Sequence, residues 1–485
     1  MKKTIKYSFY RFMCNITFGK ARTFYKNKKD FYKDNKKQLN NPVSIENSLD
    51  YNHLRHYGRN ARTVKDFELN NIGLVTYHAL NKMKELDLKR KIRDGKKARV
   101  LFLLDQPSKL SAISVYENML ESDIFEPFIV LYNNLDGYFE TNTILYNDHK
   151  KGLTDLSNMG YKIFDGYDED KNIIPVENFK PDIIITNAPY LDYSNTLLTN
   201  TFLNLNYLVC YLPYHFGTVN NYDYHYNNRR IITCWKNFVS SREDYKEHLK
   251  YSEYCGSNVV LSGYPKLDSY AKPICQCNIP SKIDNGKPIV IYAPHHSIGD
   301  NWGFVSLSTF HIYCKYFLDL VKSNIDINFV FKPHPDLSIK VVEKGLMTYE
   351  EYQNYIEEWN SLPNGFYMSS GDYIDLFRKA DLLIQDSGSF IGEWLPTDKP
   401  CMYLINPGPE LSKYMDGFST IGRKILEKYY LCHNLDDINK YFKMIMFDNL
   451  DPLKQERVNI KNEIYTNIGC AGKKIVEYLE ILLRD

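Results

Sequence analysis

From Ala98 onward, short runs of β-branched and aromatic apolar residues alternate with longer segments of helical composition. This alternation constrains the fold more than any other feature, because short buried strands joined by helical crossovers form parallel sheets covered on both faces. The spacing predicts strands at 98–104, 127–132, 161–164, 181–186, 206–211, 235–240 and 258–262, then at 288–293, 327–332, 366–369, 381–385 and 400–405. Helices are expected near 61–90, 110–121, 150–159, 192–203 and 241–254, and again at 308–323, 340–358, 372–379, 389–395, 436–446 and 453–484. Pro265, Pro273, Pro280 and Gly286 interrupt the pattern and mark a linker near 265–286. The expectation is an α/β chain with two doubly wound lobes: a basic arm at 1–40, a first lobe at 41–270, a second at 271–465 and a terminal helix at 466–485.

Several strand-like runs stop abruptly in polar turns, and ligands of open α/β sheets bind outside the carboxyl ends of strands. After Leu382–Ile384 comes Asp386-Ser387-Gly388-Ser389, read as a turn and helix start whose unpaired backbone N–H groups favour an anion. Ser387 and Ser389 add hydroxyl donors, and Gly388 would let a phosphate approach the backbone. Glu393 lies four residues beyond Ser389 on the same helical face, where it can reach a hydroxylated group such as a ribose. The run INFVF ends in Lys332, His334 and Asp336, held by Pro333 and Pro335; YLVCY leads to His215 and Gly217. PIVIYAP ends in His295, His296 and Ser297, and NVVLS runs into Gly263-Tyr264-Pro265-Lys266. Each turn alone has a plain structural reading, as a capped helix or a core histidine. Their concurrence at strand ends of two lobes describes a cleft.

Together these residues resemble the CDP-glycerol glycerophosphotransferase family, which builds teichoic-acid-like and capsular polyol-phosphate chains on a GT-B scaffold. The resemblance covers roughly residues 98–475. Tyr214-His215-Phe216-Gly217 looks like the family's Trp-His-Gly turn, and Gly263-Tyr264-Pro265-Lys266 like its Gly-Tyr-Pro-Arg turn. Tyr292-Ala293-Pro294-His295 is similar to its Tyr-Ala-Pro-Thr strand end, and Lys332-Pro333-His334-Pro335 to its Arg-x-His-Pro element. Asp386-Ser387-Gly388-Ser389 with Glu393 matches its Asp-Tyr-Ser-Ser turn and acidic residue. The chain departs from the family at Gly388, which replaces a serine, and at His295-His296-Ser297, where Thr, Trp and Arg are usual. The DSGSF-x-x-E pattern also resembles UDP-N-acetylglucosamine 2-epimerases, which share the scaffold.

What the resemblance implies is a GT-B-like enzyme with two Rossmann-like lobes facing a central cleft and a terminal helix packed back on the first lobe. It would move glycerol phosphate, or a related polyol phosphate, from a CDP-linked donor to a hydroxyl of a cell-surface glycan or polyol-phosphate acceptor, free or lipid-linked, releasing CMP. His215 would be the catalytic base and His334 a second catalytic group. Lys332, Ser387, Gly388, Ser389 and Glu393 would bind the donor, with His295, His296, Lys266 and Asp386 as second-tier candidates. No paired-aspartate motif is present, so no metal and no obligatory cofactor is expected beyond the CDP-glycerol-like donor. The alternatives are a GT-B glycosyltransferase or epimerase using a sugar nucleotide, and a non-catalytic membrane-surface binding protein.

A chain of 485 residues, 44% hydrophobic, can bury large cores and suggests two to three domains. Its net charge of +2 is unevenly spread: residues 1–40 carry about +10 and the remainder about −8. Ile5, Phe9, Phe12, Met13 and Ile16 fall near helical spacing within this arm, which points to an anionic membrane surface as partner, each basic residue there contributing about 1 kcal/mol. Nucleic acid is not an expected partner, since the body is acidic and carries no recognition motif. The absence of an apolar leader or spanning run predicts a cytoplasmic protein held at the inner face of the membrane. The 10 cysteines show no zinc-ligand spacing and are expected to be reduced.

Overall fold

A computed structural model describes residues 64–105, 107, 110–132, 143–187, 198, 200–220, 225–252, 254–299, 306–368, 373–408 and 411–485; the basic arm lies outside the described residues. Two all-parallel sheets form the two lobes. The first contains β1 (Ala98–Leu104), β2 (Phe125–Leu131), β3 (Ile163–Asp165), β4 (Ile183–Thr186), β5 (Leu208–Tyr211), β6 (Lys236–Val239) and β7 (Val259–Leu261), ordered β3-β2-β1-β4-β5-β6-β7. The second contains β8 (Ile289–Ala293), β9 (Asn328–Phe331), β10 (Gly365–Tyr367), β11 (Leu382–Gln385), β12 (Cys401–Leu404) and β13 (Tyr430–Cys432), ordered β10-β9-β8-β11-β12-β13. The strand order reverses its direction of progress between β1 and β4 in one lobe and between β8 and β11 in the other, and such switch points open a crevice beyond the strand ends.

Side-chain alternation explains why the strands are apolar throughout. Val100, Phe102 and Leu104 pack into the core on one face of the first sheet, while Leu101 and Leu103 enter the core on the other. Ile289, Ile291 and Ala293 divide from Val290 and Tyr292 in the same way. Stacked aromatics fill one face of the second sheet, with Tyr292 and Phe317 ring centres 4.0 Å apart and Phe331 and Trp359 5.2 Å apart.

Two expected helices are broken. The 340–358 segment divides into Leu337–Glu343 and Tyr349–Ser361, because Gly345 takes φ +66 and Thr348 with Glu351 forms a capping box that starts a new helix. The 453–484 segment divides into Lys454–Ile464 and Ala471–Arg484 around Gly469, at φ +86. Strand β13 and the short helices Leu411–Asp416 and Thr420–Leu426 are additions to the expected elements. Among the described residues seven cysteines are free thiols, but Cys275 is disulfide-bonded, against the expectation of reduced thiols throughout. No described helix is long and apolar enough to cross a membrane.

The final helix, Ala471–Arg484, packs on the first-lobe helices Ile113–Glu121 and Val64–Arg93. Buried Asp268, just after the Gly-Tyr-Pro-Lys turn, accepts hydrogen bonds from the N–H groups of Ala471 and Gly472, at 2.7 Å each, and thereby serves two otherwise unpaired donors of that helix. Gly472 permits the contact, since a Cβ there would lie 2.4 Å from Ser114 Oγ. Asp268→Ala should therefore lower the urea midpoint by an amount equivalent to about 1–2 kcal/mol. An unchanged midpoint would show that the helix start is held by packing alone.

Candidate active site

At the switch point of the second lobe, one buried carboxylate joins three elements. Asp386 follows β11; its Oδ1 accepts from the His295 N–H at 2.5 Å, and its Oδ2 accepts from the Thr309 N–H at 2.5 Å and the Thr309 hydroxyl at 2.7 Å. These bonds tie the end of β11 to the end of β8 and to the start of helix Phe310–Ser323. Burial pushes the Asp386 pKa up to about 7, against the pull of the three donors. Asp386 is thus a clamp. Thr309, its main partner, is absent from the expected site because the two are brought together only by the sheet.

Beside this clamp the ends of β8 and β9 are stitched together, the His334 N–H donating to the Pro294 carbonyl at 3.0 Å. This brings His295, His296 and His334 into one cluster, with ring centres 4.2 Å apart for His295 and His296, 4.1 Å for His296 and His334, and 5.2 Å for His295 and His334. Burial, with added repulsion from His296 and Lys332, pulls the His334 pKa down to about 3; burial also holds His295 well below the usual imidazole range. His334 consequently enters the site as a neutral hydrogen-bonding group. Lys332 is buried, and its ammonium lies 4.9 Å from the centre of the Tyr373 ring, which Lys266 approaches at 4.4 Å.

Glu393, only 1% exposed, is held by a network. Its carboxylate accepts from the Tyr373 hydroxyl, from the Tyr264 hydroxyl at 3.1 Å, and from Lys266 Nζ, 3.3 Å from both oxygens. Tyr373 and Tyr264 are site residues that the strand-end pattern does not single out as ligands. Ser387 is buried and Ser389 begins a short helix, Ser389–Trp394, with Gly388 as its N-cap and no side-chain cap bond. The close approach at Gly388 is made by protein: a Cβ there would lie 2.8 Å from Val219 Cγ2.

Val219 belongs to a segment that leaves β5 and crosses onto the second lobe. Phe216 enters the second lobe's core, so close to the backbone that a Cβ on Gly392 would lie 2.3 Å from its ring. The Thr218 hydroxyl donates to the Gly388 carbonyl at 2.6 Å, and the Thr218 carbonyl accepts from the Ser419 N–H at 2.8 Å. The Ser419 hydroxyl donates to the Gly217 carbonyl at 3.0 Å, and Val219 pairs with Phe418 in an antiparallel bridge. One turn earlier, the Tyr264 hydroxyl that reaches Glu393 also lies 2.7 Å from the Tyr214 carbonyl. His215 therefore sits at the start of a strap whose 217–220 portion is bonded to the second lobe, while Tyr214 before it is held by Tyr264, which also reaches Glu393.

Beneath His215 is a polar pocket lined by His225, Asn237, Ser240, Asp244 and His248, with the His215 and His225 rings 5.7 Å apart. Burial lowers His225 to about 4 and His248 to about 3, and raises Asp244 to about 7. The depressed histidines contribute stability above pH 6.5 that is lost as pH falls toward their folded values. Asp244 has the opposite sign: its folded pKa lies above the ordinary value, so acidification from pH 7 favours the folded state. His248→Gln should remove one acid-side loss while leaving Asp244, Glu247 and Tyr226 in place. Between pH 7 and pH 5, urea unfolding of this variant should lose about 1–2 kcal/mol less than the parent. An equal loss in both would show that His248 does not become charged on unfolding.

Residues 215–417 match the family described as CDP-glycerol:poly(glycerophosphate) glycerophosphotransferase, which bears out the resemblance read from the sequence. No curated protein sequence matches the chain. Among solved structures, the wall teichoic acid polymerase TagF aligns with a TM-score of 0.52 at 14% identity, covering 90% of this chain and 99% of that one. A histidine-to-asparagine form of TagF with CDPG aligns at 0.51, again with 14% identity, 90% of this chain and 99% of that one. A UDP-GlcNAc 2-epimerase from Neisseria meningitidis bound to UDP-GlcNAc aligns at 0.49, with 16% identity over 79% of this chain and all of that one. The TagF likeness shows a shared fold.

Proposed function

Taking the chain as a transferase of the CDP-glycerol glycerophosphotransferase type, we propose that it transfers a polyol phosphate, with glycerol phosphate favoured, from a CDP-linked donor to a polyol or glycan hydroxyl. The acceptor oxygen attacks the distal phosphorus, the bond from that phosphorus to the oxygen of CMP breaks, and a phosphodiester forms. His215 takes the hydroxyl proton as general base. The observation that carries this reading is the strap: it holds His215 on the same framework as the 386–389 turn and, through the Tyr264 hydroxyl, as Glu393.

Lys332 and Lys266 supply positive charge to the donor's diphosphate, and His334 donates a hydrogen bond to it. Ser387, Gly388 and Ser389 hold phosphate oxygens, and Glu393, positioned by Tyr264, Tyr373 and Lys266, orients the ribose. The acceptor is a cell-surface polymer terminus, free or lipid-linked. The basic arm at 1–40 brings the enzyme to an anionic membrane surface where such acceptors would lie.

The two histidines separate in a mutational test. His215→Gln should lose about 10²–10⁴-fold in turnover at nearly unchanged donor affinity, since an amide has no basic nitrogen. His334→Asn should retain part of the activity by donating a hydrogen bond that His334→Ala cannot. CMP release from CDP-glycerol is the readout, with UDP release from UDP-sugars as the control. Near-parental turnover by His215→Gln when chemistry is rate-limiting would remove His215 as the base, and UDP release without CMP release would replace the donor class.

Deleting residues 1–40 should move the protein from membrane to soluble fractions without changing donor affinity. High salt should do the same to the full chain, because attraction to charged headgroups is screened within about 10 Å at 0.1 M ionic strength. Membrane association of the truncated protein that resists salt would contradict this role for the arm.

A further inference from the structure

We propose that His295, His296 and His334 form a binding site for one divalent cation of the zinc and cobalt class. The sequence gives no metal-ligand spacing, because the three imidazoles come from two turns separated by a strand and a helix. The sheet places β8 beside β9, and the His334 N–H bond to the Pro294 carbonyl locks the turns in register. Pro294, Pro333 and Pro335 restrict the backbone on either side.

One ring nitrogen from each histidine lies within 4.8 Å of the other two. Bonds of 2.0–2.1 Å to a tetrahedral ion would place these nitrogens about 3.4 Å apart, a closure that side-chain rotation can supply. Three neutral nitrogen donors leave at least one position open to an oxygen ligand, and this donor set selects zinc, cobalt or nickel over magnesium or calcium.

Atoms behind two of the rings fix which nitrogen faces the cluster. The Ser297 hydroxyl lies 2.8 Å from His295 Nδ1, and the Ser297 N–H donates to the same nitrogen at 3.2 Å. The Asp336 N–H donates to His334 Nδ1 at 3.1 Å, and an Asp336 carboxylate oxygen lies 3.8 Å away. With Nδ1 of both rings turned to its own loop, Nε2 is the ligand atom each offers. The N–H donation to Nδ1 places the ring proton on Nε2 in the metal-free chain, so ligation at Nε2 requires that proton to move to Nδ1 as the loop N–H contact there is given up. Ligation at Nε2 withdraws His334 from the donor's diphosphate, so the site belongs to the donor-free protein and does not depend on which nucleotide donor is used.

The test uses the full chain, dialysed against chelator, without donor or acceptor. Titration with Co²⁺ should reach one equivalent at this site and give visible d–d absorption without thiolate charge-transfer bands, and Zn²⁺ should displace it. His296→Ala and His334→Gln should each weaken Co²⁺ binding by more than about 10-fold, with circular dichroism confirming their fold. On the unaltered protein, Zn²⁺ should protect the three histidines from diethylpyrocarbonate, read by mass spectrometry. Absence of Co²⁺ uptake, thiolate bands as the sole signal, unchanged affinity in both variants, or labelling unaffected by Zn²⁺ would overturn the site.

Discussion

The arrangement of the cleft depends on the strap at 216–220. Polar backbone leaving a sheet must find partners, and here the other lobe provides them: Ser419 serves the carbonyls of Gly217 and Thr218, and the Gly417 carbonyl accepts from the Asn220 N–H at 2.9 Å. Phe216 adds apolar burial, and Gly392 and Gly422 allow the approach, a Cβ on Gly422 falling 2.2 Å from the Thr218 carbonyl oxygen. The position of His215 relative to the 386–389 turn is thereby fixed by hydrogen bonds across the lobes. Fixed placement of this kind matters wherever reacting groups must meet, because small misplacements are costly in rate.

Around the strap the site consists of buried polar groups satisfied by one another. Asp386 costs desolvation energy that three donors offset, and Glu393 is matched by two phenols and a lysine. Lys332 and Lys266 both approach the Tyr373 ring, Lys266 while paired with the Glu393 carboxylate. Among buried groups such as these, fixed charges act more strongly than in bulk solvent.

Much of this was legible in the sequence, for a physical reason. Buried parallel strands must be apolar along their whole length, so the residues at which polarity resumes, such as His295, Lys332 and Asp386, mark the strand ends and the crevice. Pairings across elements were not legible: Thr309 reaches Asp386, and Tyr373 reaches Glu393, only after the sheet is assembled. The packing of Val219 against Gly388 was not legible either, because nothing local announces that a first-lobe strap will cross. The break at Gly345 was masked by an otherwise helical pattern, although Thr348 and Glu351 already carried the capping signal three residues apart.

The most direct measurement is a ³¹P NMR time course of the full-length protein with CDP-glycerol and a glycerol-phosphate oligomer bearing a free terminal hydroxyl. The account predicts that the donor's diphosphate resonances disappear as CMP and an equal amount of new internal phosphodiester appear. Formation of glycerol phosphate monoester without oligomer growth, or a donor left intact with the acceptor present, would contradict it.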